Sequence, residues 1–361
     1  MVTRGRCITL PSVRVSLPVY VSPTDPPVAL PHASALRASP RAVRLSITDR
    51  CDLACVYCRP HRRDGYLAAE RRVVTDHWRS LVEGLVLRGV RRVRITGGEP
   101  LMHPHVIEIA RVIAAVPGVE DLSITTNATQ LAELARPLRD AGVRRLNVSI
   151  DSLDEKRFFG LTRGGRLADV LAGLAVAQQV GFDEIKTNTV VIGPDGDDTH
   201  LRNDDELVAI ARWAFSFGAT PRFLELMTVG EGARIGGRVV PFREMTARLS
   251  ELLVDEQPQR EADRGPAVYI GTRDGRRIGF VTGTSDTFCS GCDRLRVSSD
   301  GRLRPCLATN DAVDVSAAIR AGDLEGIARG LDDAWALKPD AAWRGCTEAS
   351  AASVDMRATG G

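Results

Sequence analysis

Three cysteines within eight residues form the densest group of reactive side chains in the sequence. Cys51, Cys55 and Cys58 have the spacing CxxxCxxC, which allows three thiolates to bind one iron-sulfur cluster. A 4Fe-4S cube takes four cysteines, one per iron, so three leave one iron open for an outside ligand. Structural zinc needs four Cys or His ligands, and the nearest histidine, His61, is poorly spaced to be the fourth. The spacing therefore favours a cluster with an open iron.

The same loop resembles a known superfamily signature. An aromatic residue, Tyr57, precedes the last cysteine, as in the radical S-adenosylmethionine enzymes. The resemblance implies that S-adenosylmethionine binds the open iron through its amino and carboxylate groups. It also implies that one electron cleaves this cofactor and that the resulting 5′-deoxyadenosyl radical abstracts a hydrogen atom from the substrate. Gly-Gly-Glu-Pro at 97–100 resembles the superfamily's second motif, although paired glycines also occur in ordinary strand-helix turns.

A second group of three cysteines lies near the carboxyl end. Cys289 and Cys292 form a CxxC pair, and Cys306 follows fourteen residues later. Taken alone, this pattern is more typical of zinc than of an iron-sulfur cluster. However, no histidine follows His200, so a fourth protein ligand would be the distant Cys346 or a carboxylate. Both kinds of metal site stay open at this point.

Two arginines follow the second CxxC pair. Arg294 and Arg296 have the i, i+2 spacing that directs both side chains to the same side of a strand. A guanidinium group stays charged and suits bidentate phosphate binding, so a buried pair would require an anion. The alternative is a pair of solvated surface charges.

Composition limits the class of protein. With 361 residues and 43% apolar residues, the chain can bury a large core, and we expect one large domain with an extension. Lys and Arg number 48 against 46 Asp and Glu, so we expect no nucleic-acid or membrane partner, and any phosphate site must be local. No run of 18 apolar residues predicts a membrane span. Eight cysteines, six of them in two groups, indicate metal ligands in a reducing compartment, and we expect a cytoplasmic protein.

Residues 1–42 differ from the rest of the chain. The first forty contain seven prolines and one acidic residue, Asp25, with no sustained helical or strand period. Such a composition cannot bury enough surface to become ordered, so we predict a flexible arm. Its Arg and Ser content also fits an organelle transit peptide, but the prolines break the amphipathic helix that such a signal requires.

Residues 43–230 alternate between strand and helix patterns. The predicted strands cover 43–47, 90–96, 121–126, 146–151, 185–192 and 221–227. Helical patterns such as 167–180 and 206–217 separate them, and Thr75 is the predicted N-cap of the first helix. Strands that alternate with helices indicate a parallel sheet with right-handed crossovers. We therefore predict an α/β fold, a partial TIM-type (βα)6 barrel with its site at the carboxyl rim of the strands.

The rest of the chain, 231–361, is the predicted C-terminal extension that carries the second cysteine group and a tail. A doubly wound open sheet is the alternative fold, but no GxGxxG lies between the first strand and the first helix. On the fifth strand, Lys186 and Asn188 share one face, and a lysine directed into a core requires a partner.

The segment 279–307 and the ending Gly360-Gly361 narrow the resemblance to one family, the GTP 3′,8-cyclases of molybdenum cofactor biosynthesis. The resemblance begins at about Val43 and includes motifs at 44–51, 94–100, 125–127, 147–151, 186–188 and 225–227. It implies two 4Fe-4S clusters, and the open iron of the second, at Cys289, Cys292 and Cys306, would hold guanine. The positions that match contacts to S-adenosylmethionine are Tyr57, Gly98, Ser149 and Met227. Those that match GTP-binding positions are Arg44, Arg94, Thr125, Lys186, Arg294, Leu295 and Arg296.

The resemblance also implies a reaction and partners. Abstraction of a hydrogen atom at C3′ of GTP, followed by attack on guanine C8, would give 3′,8-cyclo-7,8-dihydro-GTP, an early step towards molybdopterin. Catalytic roles are implied for Lys186, Arg294 and Arg296, and for Gly360 and Gly361, whose tail reaches the active site in the family. An electron donor and a downstream enzyme of molybdopterin synthesis are the implied partners, and a homodimer is left open.

Four positions depart from the family pattern. Asp52 and Asp293 stand where asparagine is usual, Arg59 replaces a methionine, and Trp343 lies near a common histidine. These departures leave open a paralogue with another substrate. Two other hypotheses stay open: a radical enzyme that modifies peptides and has an auxiliary cluster, and a zinc-stapled protein without catalysis.

Overall fold

The computed structural model describes residues 40–59, 65–195, 201–261, 265–285, 289, 292–339 and 356. Almost all of the predicted arm, together with Trp343, Cys346 and the Gly360-Gly361 tail, lies outside these residues. No helix within the described ranges is long and apolar enough to cross a membrane.

Six parallel strands, each paired with the next along the chain, form the centre of the structure. They are β1 (Ala42–Ser46), β2 (Arg92–Thr96), β3 (Asp121–Thr126), β4 (Arg145–Ser149), β5 (Glu184–Val191) and β6 (Thr220–Glu225). The helices between them are α1 (His77–Val86), α2 (Val106–Ala114), α3 (Leu131–Asp140), α4 (Glu155–Thr162), α5 (Leu167–Val180) and α6 (Leu207–Ser216). This is the predicted strand-helix alternation, with each strand within about two residues of its predicted bounds.

The predicted N-cap of α1 is wrong. The helix begins at His77, so Asp76 occupies the N-cap position, and its side chain makes no capping hydrogen bond. Thr75 lies in the preceding turn. There its carbonyl accepts from Trp78 N at 3.3 Å, and the carbonyl of Val74 accepts from His77 N at 3.0 Å. Backbone carbonyls therefore satisfy N–H groups that a side-chain cap would otherwise take.

The C-terminal region extends the sheet at both edges. Its elements are α7 (Glu231–Arg234), α8 (Phe242–Arg248), β7 (Gln259–Arg260), β8 (Val268–Gly271), β9 (Arg277–Val281), β10 (Arg294–Val297), β11 (Arg302–Arg304), β12 (Val313–Asp314), α9 (Ser316–Ala321) and α10 (Leu324–Ala336). Strand β10 pairs in parallel with β1, and β9 pairs in parallel with β6. The described strands therefore form one sheet in the order β12-β11-β10-β1-β2-β3-β4-β5-β6-β9-β8-β7. The predicted C-terminal extension is confirmed, whereas the domain boundary at 230/231 stays a prediction.

The largest hydrophobic core lies between the sheet and the helices on its outer face. Trp78 of α1 is fully buried there. Helix α10 packs against α1 so closely that a Cβ atom on Gly84 would lie 2.7 Å from Cβ of Ile327. Because no side chain fits at Gly84, this glycine permits the close approach of the two helices. The C-terminal helix is thereby fixed to the first helix of the barrel.

Candidate functional site

Both cysteine groups line one cavity inside the barrel. The cavity has a volume of about 330 Å³, and Cys51, Cys55 and Cys58 line it together with Cys289, Cys292 and Cys306. These six cysteines form no disulfide in the part of the chain that the structure describes. The two thiol groups, which are far apart in sequence, therefore face a common space.

The two groups lie at opposite ends of that space. The first follows the carboxyl end of β1, whereas Cys292 precedes β10, whose Arg294 is level with Ala42 at the amino end of β1. The length of β1 alone separates these levels by about 13 Å at the usual rise per strand residue. The cavity therefore extends through the barrel, from the carboxyl rim, where the sequence predicts the site, to the amino ends of the strands. It extends so far because β10 inserts beside β1, which local sequence patterns did not reveal.

The first cysteine loop is held against α4. Backbone N–H groups of Ala54 and Val56 donate to the carbonyls of Thr162 and Leu161 at 3.1 and 2.9 Å. Burial, followed by the charges of Glu99 and Asp52, raises the pKa of Cys51 well above its usual value. Negative charge on this sulfur therefore requires a cation such as a metal centre.

The donor set fits a cluster better than a single ion. No three His, Cys, Asp or Glu side chains within the described ranges lie close enough to hold one metal ion. In a 4Fe-4S cube each thiolate binds a different iron, so the sulfurs stand farther apart. Cys51, Cys55 and Cys58 supply three sulfur donors from one loop that lines the cavity, which is the donor set that such a cube requires.

Asp52 belongs to a hydrogen-bond network at the end of β3. Its carboxylate accepts from Asn127 Nδ2 at 2.7 Å and from Thr129 Oγ1 at 2.6 Å. The amide of Asn127 binds one carboxylate oxygen and the hydroxyl of Thr129 binds the other. The departure from asparagine is therefore accommodated by its neighbours.

The loop after β2 lies against the segment that leads into the first cysteine loop. Gly98 N donates to Thr48 O at 2.7 Å, and a Cβ atom on Gly98 would lie 2.2 Å from Arg50 O. Only glycine permits that approach. The Glu99 carboxylate accepts from Thr126 Oγ1 at 2.7 Å and from Asn127 N at 2.6 Å. Burial raises the pKa of Glu99 to about 7, even though these hydrogen bonds oppose the rise.

The four residues predicted to contact S-adenosylmethionine all line the cavity: Tyr57, Gly98, Ser149 and Met227. The Tyr57 hydroxyl donates to Asp151 Oδ2 at 2.7 Å, and Val190 N donates to the other carboxylate oxygen at 2.9 Å. Burial raises the pKa of Asp151 to about 6. Asp151 thus fixes the Tyr57 ring inside the cavity, a role that sequence reasoning did not assign.

Arg59 occupies a buried position directly after Cys58. One guanidinium nitrogen donates to the Tyr66 hydroxyl at 2.6 Å, and the other donates to Cys51 O at 3.3 Å. This side chain is only 2% exposed, so its charge lies within the first cysteine loop. The departure from methionine therefore adds a cation that bridges the two ends of the loop.

Basic side chains form a band between the two thiol groups. Five of the predicted GTP-binding residues line the cavity with their charged side chains: Arg44, Arg94, Lys186, Arg294 and Arg296. Strand register sets Arg296, Arg44 and Arg94 side by side on β10, β1 and β2. The shared face that the i, i+2 spacing predicts for Arg294 and Arg296 is confirmed. Thr125 also lines the cavity, whereas the Leu295 side chain points the other way and is fully buried in the core.

Mutual repulsion and burial shift the pKa values of this band. Burial, then the charges of Arg296 and Arg294, lowers the pKa of Arg44 well below its usual value. Burial, then the charge of Arg222, lowers the pKa of Arg94 to about 9 and that of Lys186 to about 8. Bringing these groups together costs free energy, and an anion bound among them would recover part of it.

Arg222 is a member of the band that sequence reasoning missed. Its guanidinium donates to Asn188 Oδ1 at 2.9 Å and to Asn147 Oδ1 at 2.6 Å. Gly279 on the paired strand makes room for it, since a Cβ atom there would lie 2.7 Å from Arg222 Cγ. The period of two that placed Lys186 and Asn188 on one face could have found Arg222 on β6 as well.

Carboxylates accompany the cations at the amino ends of the strands. Arg92 pairs with Asp293, and Arg145 pairs with Asp121. Lys186 Nζ lies 3.0 Å from Glu184 Oε2, which supplies the partner that the sequence required. Asp293, the second departure from asparagine, therefore ties the second cysteine segment to β2 by an ion pair.

Glu225 fastens the chain that leads to Cys289. Its carboxylate is 1% exposed and accepts from the backbone N–H groups of Phe242, Thr284 and Ser285, each at 2.8 Å. The Ser285 hydroxyl also donates to it. One buried carboxylate at the end of β6 thus holds two loops of the C-terminal region.

Comparison with known families gives two matches along the chain. The family model of the radical SAM superfamily matches residues 45–208, and that of Molybdenum Cofactor Synthesis C matches residues 219–343. The second match covers the second cysteine group and the arginines that follow it.

Curated relatives match about four-fifths of the chain. A GTP 3′,8-cyclase of Pelotomaculum thermopropionicum is 38% identical over 302 residues, which cover 82% of this chain and 91% of that protein. A GTP 3′,8-cyclase of Pseudomonas putida is 39% identical over 306 residues, 82% of this chain and 88% of that protein. Another, of Moorella thermoacetica, is 37% identical and covers 78% of this chain and 85% of that protein.

A solved structure shares the fold. Streptococcus suis SuiB bound to precursor peptide SuiA superposes with a TM-score of 0.57 at 15% identity, covering 85% of this chain and 66% of that chain. At this level of identity the likeness concerns the fold alone.

Replacing Glu225 with Gln should loosen the segment before Cys289. An amide nitrogen cannot accept a hydrogen bond, so donors now satisfied by one oxygen would be left buried without an acceptor, at about 1–3 kcal/mol each. We expect faster hydrogen exchange at the Thr284 and Ser285 amides and a lower unfolding temperature. Glu251→Gln is the matched control, because that side chain is 55% exposed. Unchanged exchange in the Glu225 variant would contradict the assigned role.

Proposed function

This chain belongs to the GTP 3′,8-cyclase family of the radical SAM superfamily, and from that premise we propose that it converts GTP into 3′,8-cyclo-7,8-dihydro-GTP. The observation that carries the proposal is the single cavity in which a band of basic side chains separates two groups of three thiols. A nucleoside triphosphate needs both a cationic pocket and a second anchor for its base. This cavity offers both beside the cofactor site.

The first thiol group would hold the 4Fe-4S cluster that the superfamily uses with S-adenosylmethionine. Cys51, Cys55 and Cys58 are its ligands in this proposal. When bound, the cluster supplies the electron that cleaves S-adenosylmethionine and so provides the radical for hydrogen abstraction from GTP. Around that cofactor, Gly98 allows close backbone approach, and the Tyr57 ring is held by Asp151.

The second thiol group would hold a second 4Fe-4S cluster. Cys289, Cys292 and Cys306 leave one iron without a protein thiolate, and guanine is the ligand that we propose for it. Burial opposes ionisation of Cys292, but the charges of Arg294 and Lys338 outweigh it and lower the pKa of this thiol to about 6. A thiol that ionises so readily is suited to bind iron at neutral pH.

The basic band would bind the triphosphate. Arg44, Arg94 and Arg222 come from β1, β2 and β6, and Arg294 and Arg296 come from β10. Arginine forks suit phosphate oxygens, and low local dielectric strengthens each contact. Anchoring at the base and at the phosphates would fix the ribose between the two ends of the cavity. The residues would therefore orient C3′ of the ribose.

The remaining expectations concern partners and location. We propose an external electron donor for the clusters and a downstream enzyme of molybdopterin synthesis that takes the product. The Gly360-Gly361 tail is proposed to reach the cavity, and a homodimer stays open. The use of cysteines in two metal-type groups supports a cytoplasmic location.

An anaerobic single-turnover experiment tests the function. The chain is purified without oxygen, its iron is counted, and GTP, S-adenosylmethionine and a reductant are added. We expect about eight irons per chain, from two four-iron clusters, and a cyclised GTP product. A colourless zinc protein would overturn the enzyme assignment. Intact clusters with no GTP consumed would favour a peptide substrate instead.

Single replacements of Arg222, Arg294 and Arg296 by Ala should weaken GTP binding. Loss of a charge-assisted hydrogen bond of about 1.5–3 kcal/mol raises the dissociation constant roughly tenfold to a hundredfold. Iron content should not change. Arg212→Ala is the control, because its side chain is 65% exposed on α6. Loss of iron in the Arg294 or Arg296 variant would show that the arginine supports the cluster instead of the substrate.

Binding of GTP should weaken as pH rises from 7 to 9. Burial and Arg222 lower the pKa of Lys186 to about 8, so this lysine is mostly charged at pH 7 and mostly neutral at pH 9. The Lys186→Arg variant keeps more of its charge across that range, because the guanidinium group has a higher intrinsic pKa than an ammonium group. Titration calorimetry at both pH values should show a several-fold loss of affinity in the unsubstituted protein and a smaller loss in the variant. Equal losses in both would exclude Lys186 as the titrating group.

A further inference from the structure

Lys338 contacts the segments that carry the second cysteine group, although it lies well after them in the sequence. It lies two residues after α10 and is one of three lysines in the chain. Its Nζ donates to the carbonyl oxygens of Arg294 and Pro305, each at 2.7 Å, and its side chain lines the cavity. Sequence reasoning assigned it no role.

The two carbonyls belong to the segments that carry two of the cysteines. Arg294 is two residues after Cys292, and Pro305 directly precedes Cys306. These segments continue β10 and β11, whose pairing includes Arg296 with Arg304 and Val297 with Leu303. The Lys338 ammonium group therefore links the two segments just beyond those pairs, close in sequence to Cys292 and Cys306.

The body of the barrel fixes the position of this ammonium group. Helix α10 packs on α1 through Ile327 and Gly84, and Arg88 Nε donates to Asp332 Oδ2 at 2.9 Å. The Lys338 Nζ also stands 5.1 Å from the centre of the Trp335 ring. A lysine held at both its backbone and its tip has few rotamers left, so it can set a distance.

Its ammonium group lies in the cavity that Cys292 and Cys306 also line. An ammonium group carries three N–H donors, and two of them go to the carbonyls. Burying this charge costs free energy unless a negative centre lies nearby, and a thiolate-bound cluster is such a centre.

We propose that Lys338 is a positioning residue of the second cysteine group, which sets the separation of Cys292 and Cys306 and raises the reduction potential of the centre that they bind. The inference rests on the second cluster of the proposed function. Added negative charge on a reduced cluster is stabilised by a fixed neighbouring cation, so its potential rises. Lys338 would act through the cluster and need not touch the substrate.

The test isolates the second centre in the full-length chain. Cys51, Cys55 and Cys58 are replaced by Ala, so that only the second group can hold a cluster, and this parent is compared with added Lys338→Met, Lys338→Arg and Lys156→Met. Lys156 is the matched control, because it is an exposed lysine on α4. Iron per chain and a redox titration followed by electron paramagnetic resonance are measured for each.

We expect Lys338→Met to disfavour the reduced cluster by about tenfold, a fall of about 59 mV for a one-electron couple. Lys338→Arg should stay close to the parent, because it keeps the charge, and Lys156→Met should match the parent. A Lys338→Met midpoint equal to that of the parent would overturn the inference alone. If Lys338→Met does not fold, a Lys338→Arg midpoint potential about 59 mV below that of the parent would also overturn the inference. A parent without iron would instead overturn the proposed second cluster.

Discussion

The packing of like charges inside the barrel is the constraint on which the rest of the structure depends. Arg296, Arg44 and Arg94 are neighbours across three strands, and burial together with mutual repulsion lowers their pKa values. Such a band is costly in a folded protein, because desolvation and repulsion add. Ion pairs at the amino ends of the strands offset part of the cost. An anionic ligand would offset the rest of the cost, which is what the proposed triphosphate binding requires.

Sheet topology brings this band and the thiols together. Strand β10 covers the edge of β1 and contributes two arginines. In the sequence it lies between Cys292 and Cys306. On the other side, β9 covers β6, and its Gly279 leaves room for Arg222. The two halves of the sequence therefore share one sheet and one cavity. Glu225 accepts hydrogen bonds from the segment before Cys289, and Lys338 donates to the carbonyls of Arg294 and Pro305 beside the other two cysteines.

Much of the fold could be predicted from the sequence, because six strands alternate with helices and strand alternation is a local property. The same periodicity correctly placed Arg294 and Arg296 on one face, and cysteine spacing found both thiol groups. The pairing of β10 with β1 could not be predicted, since it joins distant segments and no local pattern encodes it. Lys338 was missed for a similar reason, because its importance comes from carbonyls 33 and 44 residues away. Arg222 was missed although the alternation of side chains along β6 could have placed it on the face that lines the cavity.

The late position of β10 has a consequence for biogenesis. During synthesis, the outer edge of β1 has no parallel partner until residues 294–297 have been made. An unpaired strand edge is prone to join other chains. The second cysteine group can therefore line the cavity only after the carboxyl half of the sheet has joined β1, so the two halves of the site form in one late step of folding.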